Sequence, residues 1–477
     1  MAATGSSTGT APGSSTLMGF VHRRRRGAEL FLLVLALAVG VGGYAAVGLG
    51  VEGEVPADII GYGGWLAALM VGAHVVVRLV APYADPVMLP IVAALNGLGL
   101  AVIHRLDLAD DTTFARQQLT WMTVGVLLFA GTLVIVRDHR LLARFTYTFG
   151  LSAIVLLLLP ILPGIGKNIN GARIWIGVGP FSFQPGEVAK VMLVIAFAGY
   201  LVLHRDALAL AGRRVLFVDL PRGRDLGPIV AMWLVSLGIL VFQKDLGSSL
   251  LFFGLFLILL YVATERPGWI LVGALMFLGG AATAYRLFGH VRVRVDTWLH
   301  PFDYYQGPLG QNSDQLVEGL FGLAYGGLIG RGFGDGDPTR IPYAESDFIM
   351  AAIGEELGLT GFLAILVMYG LLVERALRTA LISRDGFGKL MATGLASIFA
   401  LQLFVVIGGV TRLIPLTGLT TSFLSYGGSS LVASWAIVAL LLRISDQARR
   451  PLPELEPVDD DAVAEESTQV IKVGGPR

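Results

Sequence analysis

The chain has 477 residues, of which 55% are hydrophobic and 15% charged, with 35 Lys+Arg balanced by 35 Asp+Glu and no cysteine. A soluble chain carries about 25% charged residues, so this composition excludes a soluble multidomain enzyme, a disordered hub and a basic nucleic-acid binder. The missing cysteines exclude disulfides, thiolate metal sites and cysteine catalysis.

Residues 1–27 form a polar Ser/Thr/Gly leader that closes on Arg23, Arg24, Arg25 and Arg26 and reads as disordered. Twelve apolar segments follow, at about 28–49, 58–80, 86–104, 119–136, 146–162, 187–204, 227–243, 247–264, 268–288, 350–373, 390–414 and 427–443. Each is about 17 to 25 residues, enough to cross a hydrocarbon core of about 30 Å as a helix. Only helices and closed barrels satisfy the backbone there, and no run alternates with the two-residue period of a barrel strand. The sequence therefore predicts an all-α polytopic membrane protein of about 12 transmembrane helices. The first segment has no clear small-residue cleavage site and reads as a retained helix. Residues 448–477 read as a disordered acidic tail, with Asp459, Asp460 and Asp461 at its centre.

Basic residues collect in short cytoplasmic loops. Placing the leader inside puts the clusters at Arg137–Arg144, Arg205–Arg224, Arg375–Lys389 and Arg443–Arg450 on the same side, with both termini cytoplasmic. The zero net charge is then an average over a basic inner face and an acidic outer one. Two outer connections, at about 163–186 and 289–349, are too long for turns; loops of that length are functional or carry short helices of their own. Chemistry is expected at the outer face.

Four polar constellations interrupt the apolar pattern. The first in chain order is Asn170-Gly171-Ala172-Arg173-Ile174-Trp175, followed by Gln184-Pro185-Gly186-Glu187 and Lys190. Glu187 and Lys190 share one face of the sixth helix, and a Glu in a first turn also suits the helix dipole. Arg173 has the fork to hold a pyrophosphate but equally the stem to snorkel, and Trp175 suits a membrane interface. The second is Gln243-Lys244-Asp245-Leu246-Gly247-Ser248-Ser249 between the seventh and eighth spans. Asp245 there is a good N-cap, and a capping carboxylate at a water–lipid boundary can also accept a proton.

The third constellation runs from Glu345-Ser346-Asp347 to Gly354-Glu355-Glu356-Leu357-Gly358. Adjacent helical residues point about 100° apart, so at least one of the Glu pair must face a polar cavity or the loop above. The fourth, Pro415-Leu416-Thr417-Gly418 to Ser425-Tyr426-Gly427-Gly428-Ser429-Ser430, is a small-residue entry to the last helix. The Gly330–Gly336 stretch follows no strand and is no phosphate loop, and the seven histidines form no zinc motif.

Together these blocks resemble the SEDS family of bacterial shape, elongation, division and sporulation proteins, whose pattern is approximately NGAxRW, QPSELAK, QPDLG, TDFIFAxIGEELG and PxTGxxxPFxSYGGSS. The resemblance covers residues 85–447, which hold ten of the twelve spans and the large loop at about 289–349. Residues 28–84 read as two additional helices. The resemblance implies a peptidoglycan glycosyltransferase of the bacterial plasma membrane that polymerises lipid II into β-1,4 glycan strands, with a class B penicillin-binding protein as partner and membrane lipids around it. It implies Asp245 as the general base. It also implies substrate-binding positions at Asn170, Arg173, Trp175, Gln184, Glu187, Lys190, Lys244, Asp347, Glu355, Glu356 and Ser425. A divalent cation, Mg or Mn, is compatible with the departing pyrophosphate, though no liganding motif shows it. Gly186, Lys244, Val406, Thr420 and Ser422 depart from the pattern. Lys244 leaves two roles open, lowering the pKa of its neighbour or meeting pyrophosphate. Within the fourth constellation, Pro415-Leu416-Thr417-Gly418 and Ser425-Tyr426-Gly427-Gly428-Ser429-Ser430 look closer to the elongation member than to the division member. A division polymerase, a lipid-linked precursor flippase and a non-catalytic scaffold are the competing readings.

Overall fold

A computed structural model describes residues 26–169, 172–178, 181–209, 213–215, 218–220, 223–308 and 312–451. The predicted leader and most of the acidic tail lie outside the described residues. Twelve apolar helices match the twelve predicted segments. In chain order they are α1 (Arg26–Val51), α2 (Ile59–Val80), α3 (Met88–Asp110), α4 (Phe114–Ile135), α5 (Thr146–Leu158), α6 (Pro185–Leu203), then, after a short α7 (Arg205–Ala209), α8 (Gly223–Phe242), α9 (Leu246–Thr264) and α10 (Gly268–Leu287). After the long loop, which holds α11 (Gly289–Leu299) and α12 (Asp314–Gly326), come α13 (Ile349–Ile382), α14 (Gly386–Val410) and α15 (Gly428–Arg449). Eleven of the twelve are long and apolar enough to cross a membrane, α5 together with its flanking 3-10 turns; the apolar part of α8, Leu226–Phe242, is shorter.

The most buried spans are α3 and α15, and the most exposed is α10. Arg443 of α15 donates to the carbonyls of Val80 and Leu133, and Asp446 accepts from the Tyr83 N–H at 2.8 Å. These contacts tie the end of the last span to the α2–α3 junction and to the end of α4. The additional pair α1–α2 packs on the core by backbone contact: a Cβ on Gly40 would lie 2.9 Å from the Gly97 Cα. Small residues permit that approach, which is how helices associate where lipid removes the hydrophobic drive.

The first long connection carries a small sheet, whereas short helices are only one of the two expectations for it. It is a three-stranded antiparallel sheet, β1 (Gly166–Ile169), β2 (Ala172–Val178) and β3 (Phe181–Phe183), with Lys167 opposite Trp175 and Ile176 opposite Phe183. Ile174-Trp175-Ile176 and Phe181-Ser182-Phe183 are strand formers, and Pro185 starts α6 where its missing N–H costs nothing. A second hairpin pairs β4 (Arg213–Val215) with β5 (Val218–Leu220). The second long connection does carry helices of its own.

Helix α13 is kinked at Gly358, whose φ of 67° and ψ of −172° are not helical. The break frees the carbonyls of Glu355 and Glu356, which accept from the N–H groups of Arg331 at 3.1 Å and Gly332 at 2.8 Å. A Cβ on Gly358 would fall 2.2 Å from the Gly330 nitrogen, so this contact requires glycine.

Candidate active site

Alternating spans bring the ends of α8, α10 and α14 and the starts of α6, α9, α13 and α15 to one face of the helical body, the face that carries both long connections. Asp245 sits there as the N-cap of α9. One carboxylate oxygen accepts from the Ser248 N–H at 2.9 Å, the other from the Ser248 hydroxyl at 2.7 Å, and the Ser249 hydroxyl donates to the Asp245 carbonyl at 2.6 Å. Asp-Leu-Gly-Ser-Ser thus folds back on itself to satisfy the first turn. The Gln184 amide stands 3.5 Å from the carboxylate.

The carboxyl of Asp245 is held above the ordinary aspartate range, first by burial. The charge of Glu187 adds to the rise, while the two bonds from Ser248 and the charge of Arg294 work against it. Glu187, at the third residue of α6, pairs with Lys190 at 2.5 Å, and both are buried. Lys190 also donates to Gln402 at 3.1 Å, and Gln402 donates to the Thr420 carbonyl at 2.7 Å. That chain fixes the Pro415–Ser425 segment against α6. Asp347 lies before α13 under the same charges: burial pushes its carboxyl up to about 6, Arg294 opposes the rise, and Glu345 and Asp245 add to it.

Arg294 is the cation common to both aspartates, and sequence reasoning missed it. It projects from α11 and donates to the Leu416 carbonyl at 2.8 Å. Burial weakens its hold on its proton, and the charges of Asp245 and Asp347 offset that only in part. Helix α11 is itself stapled to the end of α14, where Arg412 donates to the carbonyls of Trp298 and Leu299 at 3.0 and 2.9 Å. The available signal was Arg292 and Arg294 together in a connection assigned to the outer side, where basic residues are depleted. Gln402 left no signal, being one polar residue in an apolar run.

Arg173 on β2 and Lys244 at the end of α8 line one open cleft of about 610 Å³ with Asn168, Phe242 and Gln243. Lys244 is exposed and holds a φ of 64°, a left-handed conformation rare outside glycine. Its charge reaches His290, and the cation that acts on Asp245 is Arg294. Of the two roles open for Lys244, its place beside Arg173 favours contact with an anion.

Asn170 lies outside the described residues. Trp175 is half-buried in β2 opposite Lys167. Ser425 is buried, its hydroxyl accepting from the Thr421 N–H at 2.8 Å and its carbonyl from the Gln118 amide at 2.8 Å, which places it in a turn. Glu356 pairs with buried Arg105 at 2.7 Å, and Glu355 accepts from the Asp337 N–H at 2.7 Å. The Glu pair therefore ties Arg105 of α3 and the 334–337 stretch to α13, as the 100° argument allowed, and none of its bonds goes to Asp245.

The family profile described as cell cycle protein, covering FtsW, RodA and SpoVE, matches residues 86–450. The peptidoglycan glycosyltransferase RodA of Mycobacterium tuberculosis is 47% identical over 455 residues, covering 94% of this chain and 96% of that one. Stage V sporulation protein E of Bacillus subtilis is 33% identical over 71% of this chain and 89% of its own length. Among solved structures, a chain of a peptidoglycan synthase complex that coordinates polymerization and crosslinking superposes with a TM-score of 0.61 at 30% identity, covering 76% of this chain and 98% of that one. The rod shape determining protein RodA of Thermus thermophilus gives 0.52 at 27%, covering 76% and 96%.

Proposed function

The chain belongs to the FtsW/RodA/SpoVE family and is a multi-pass plasma-membrane peptidoglycan glycosyltransferase, and on that premise we propose how its residues carry the reaction. Asp245 is the general base. It takes the proton from the 4-hydroxyl of an acceptor sugar, whose oxygen attacks the anomeric carbon of a second lipid-linked sugar. The bond to the pyrophosphate breaks as the new one forms on the opposite face, so an α-linked donor becomes a β-1,4 link and undecaprenyl pyrophosphate departs. A base poised near working pH serves such a step best, and burial beside Glu187 moves Asp245 in that direction. Ser248 fixes the carboxylate's orientation, and Arg294 steadies the charge on Asp245 and Asp347.

Arg173 and Lys244 receive the departing pyrophosphate in their shared cleft, where two cations stabilise charge that develops as the bond breaks. The described residues gather no group of three His, Asp or Glu side chains able to hold a metal. A magnesium or manganese ion would come with the substrate's pyrophosphate, and no step is routed through it. Lipid II is the substrate, and a class B penicillin-binding protein is the partner that crosslinks the product; likeness to a chain of a peptidoglycan synthase complex supports the pairing. The identity to RodA chains over nearly the full length favours elongation over division.

The observation that carries the proposal is a buried carboxylate at a helix start on the loop-bearing face, oriented by two bonds and flanked by a cleft with two cations. A flippase would place its charges near the midplane on discontinuous helices. The test is polymerisation of lipid II by the purified full chain in detergent. Wild type makes glycan polymer and Arg173→Ala combined with Lys244→Ala slows it about 100-fold or more, as loss of transition-state charge stabilisation does. An unchanged rate in the double variant would remove the pyrophosphate assignment.

A further inference from the structure

The additional helices α1 and α2 enclose, with the ends of α3 and α4, an open cleft of about 540 Å³ that is separate from the Asp245 site. Its floor is a column of three rings: Tyr44 stacks on Tyr62 at 3.9 Å between centroids and on His104 at 4.3 Å. Tyr62 lines the cleft and is 8% exposed, yet its hydroxyl meets no hydrogen-bond partner. A buried hydroxyl without a partner costs about 1–3 kcal/mol, so it marks a place where something else supplies the bond.

Three carboxylates border the cleft, and they are not equivalent. Asp107 is spent within the protein, accepting from the N–H groups of Phe114 at 2.9 Å and Ala115 at 2.7 Å and from the Thr112 hydroxyl, so that it caps α4. Asp58 is exposed, and among the described residues its carboxylate accepts from the hydroxyl of Tyr44 alone, at 2.9 and 3.0 Å. Asp111 is exposed at the rim, and Arg116 is the one cation among the lining residues. Aromatic rings beside exposed carboxylates suit an ammonium group, and a single cation at the mouth suits a phosphate.

The depth of the cleft narrows the choice. All four helices contribute their last or first two turns, at the face that carries the long connections. In a bilayer that level is the headgroup region. Ile60, next to the cleft on α2, is exposed, as is Trp65 in its lining, as a lipid-facing surface requires.

We infer that this cleft binds the headgroup of a phosphoethanolamine lipid, its ammonium held by Asp58 and the Tyr62 hydroxyl over the ring column and its phosphate met by Arg116. The added helix pair thereby gives the enzyme a specific lipid seat next to the core.

The test uses the full chain in detergent, offered equimolar phosphatidylethanolamine and phosphatidylglycerol and read by native mass spectrometry. Wild type retains phosphatidylethanolamine with about tenfold preference, equivalent to ~1.4 kcal/mol. Asp58→Asn and Tyr62→Phe each abolish the preference while the thermal transition stays in place. Tyr62→Phe keeps the ring column, so its result stands even if Asp58→Asn fails to fold. A third arm offers soluble phosphoethanolamine alone. Lipid adducts without adducts of the soluble compound support the lipid seat, and adducts of the soluble compound only would overturn it. Equal retention of the two lipids, or a preference that survives both substitutions, would also overturn the inference.

Discussion

Asp245 does two jobs in one position, and two substitutions separate them. Asparagine caps a helix as well as aspartate does, because its carbonyl oxygen can keep the 2.9 Å bond from the Ser248 N–H, and the Ser248 hydroxyl, at 2.7 Å, can turn to meet its amide. It cannot take a proton. Alanine loses both the cap and the base. Losing a base costs about 100- to 10,000-fold in rate, or ~3–5 kcal/mol of transition-state stabilisation, and losing an N-cap costs ~1 kcal/mol of stability. Asp245→Asn should therefore be at least as stable as wild type, because it keeps the cap and relieves the burial that raises the carboxyl, and lose activity by at least two orders of magnitude. Asp245→Ala should be equally inactive and melt about 2 °C below Asp245→Asn, since the cap energy is spread over a large unfolding entropy. The assays are lipid II polymerisation followed by gel and thermal unfolding in the same detergent. A near-wild-type rate in Asp245→Asn would refute the base. Equal melting temperatures in Asp245→Asn and Asp245→Ala would refute the capping account.

Three further outcomes follow from the geometry. Asp347 holds its proton up to about 6, against an ordinary 3.8, so the folded protein binds a proton that the unfolded chain releases. Stability should fall as pH rises from about 4 to 6, and Asp347→Asn should gain a few kcal/mol at pH 7 and nothing at pH 4, measured by thermal unfolding across that range. No pH dependence of the gain would show that the cost is absent. Asp385 behaves oppositely: burial alone would raise its carboxyl, but bonds from His139 at 3.0 Å and the Gly388 N–H at 2.7 Å hold it at about 2. Its contribution of ~2 kcal/mol is present above about pH 4 and lost as pH falls towards 2, so the melting gap between wild type and Asp385→Ala should close over that interval. Breaking the buried pair by Arg105→Met should cost ~3–5 kcal/mol, whereas Arg105→Met with Glu356→Leu should recover part of it, because an unpaired buried charge is worse than no pair. Additive losses in a double-mutant cycle would count against the pairing.

The membrane helices were legible because hydropathy is summed over a whole span, and any run of that length has few alternatives to crossing as a helix. Asp245 was legible for a local reason: a capping residue and its Gly-Ser-Ser lie within one turn. The pairing of Glu187 with Lys190 followed from a three-residue spacing on one face. The sheet in the first long connection was missed because short exposed strands gain their stability from cross-strand partners, and the pattern of Ile174, Trp175 and Ile176 does not announce them.

Sequence alone settled the solvent of this protein, where its apolar helices lie, and which acid would cap the helix at its functional face, since each depends on contiguous residues. Only the tertiary structure decided which distant groups meet. It brought Arg294 from a loop into the field of Asp245 and Asp347, set Arg173 and Lys244 on one cleft, and committed Glu355 and Glu356 to Arg105 and the 334–337 stretch. Those partners lie tens to hundreds of residues apart, and what joins them is the packing of helix ends, a property no local pattern encodes.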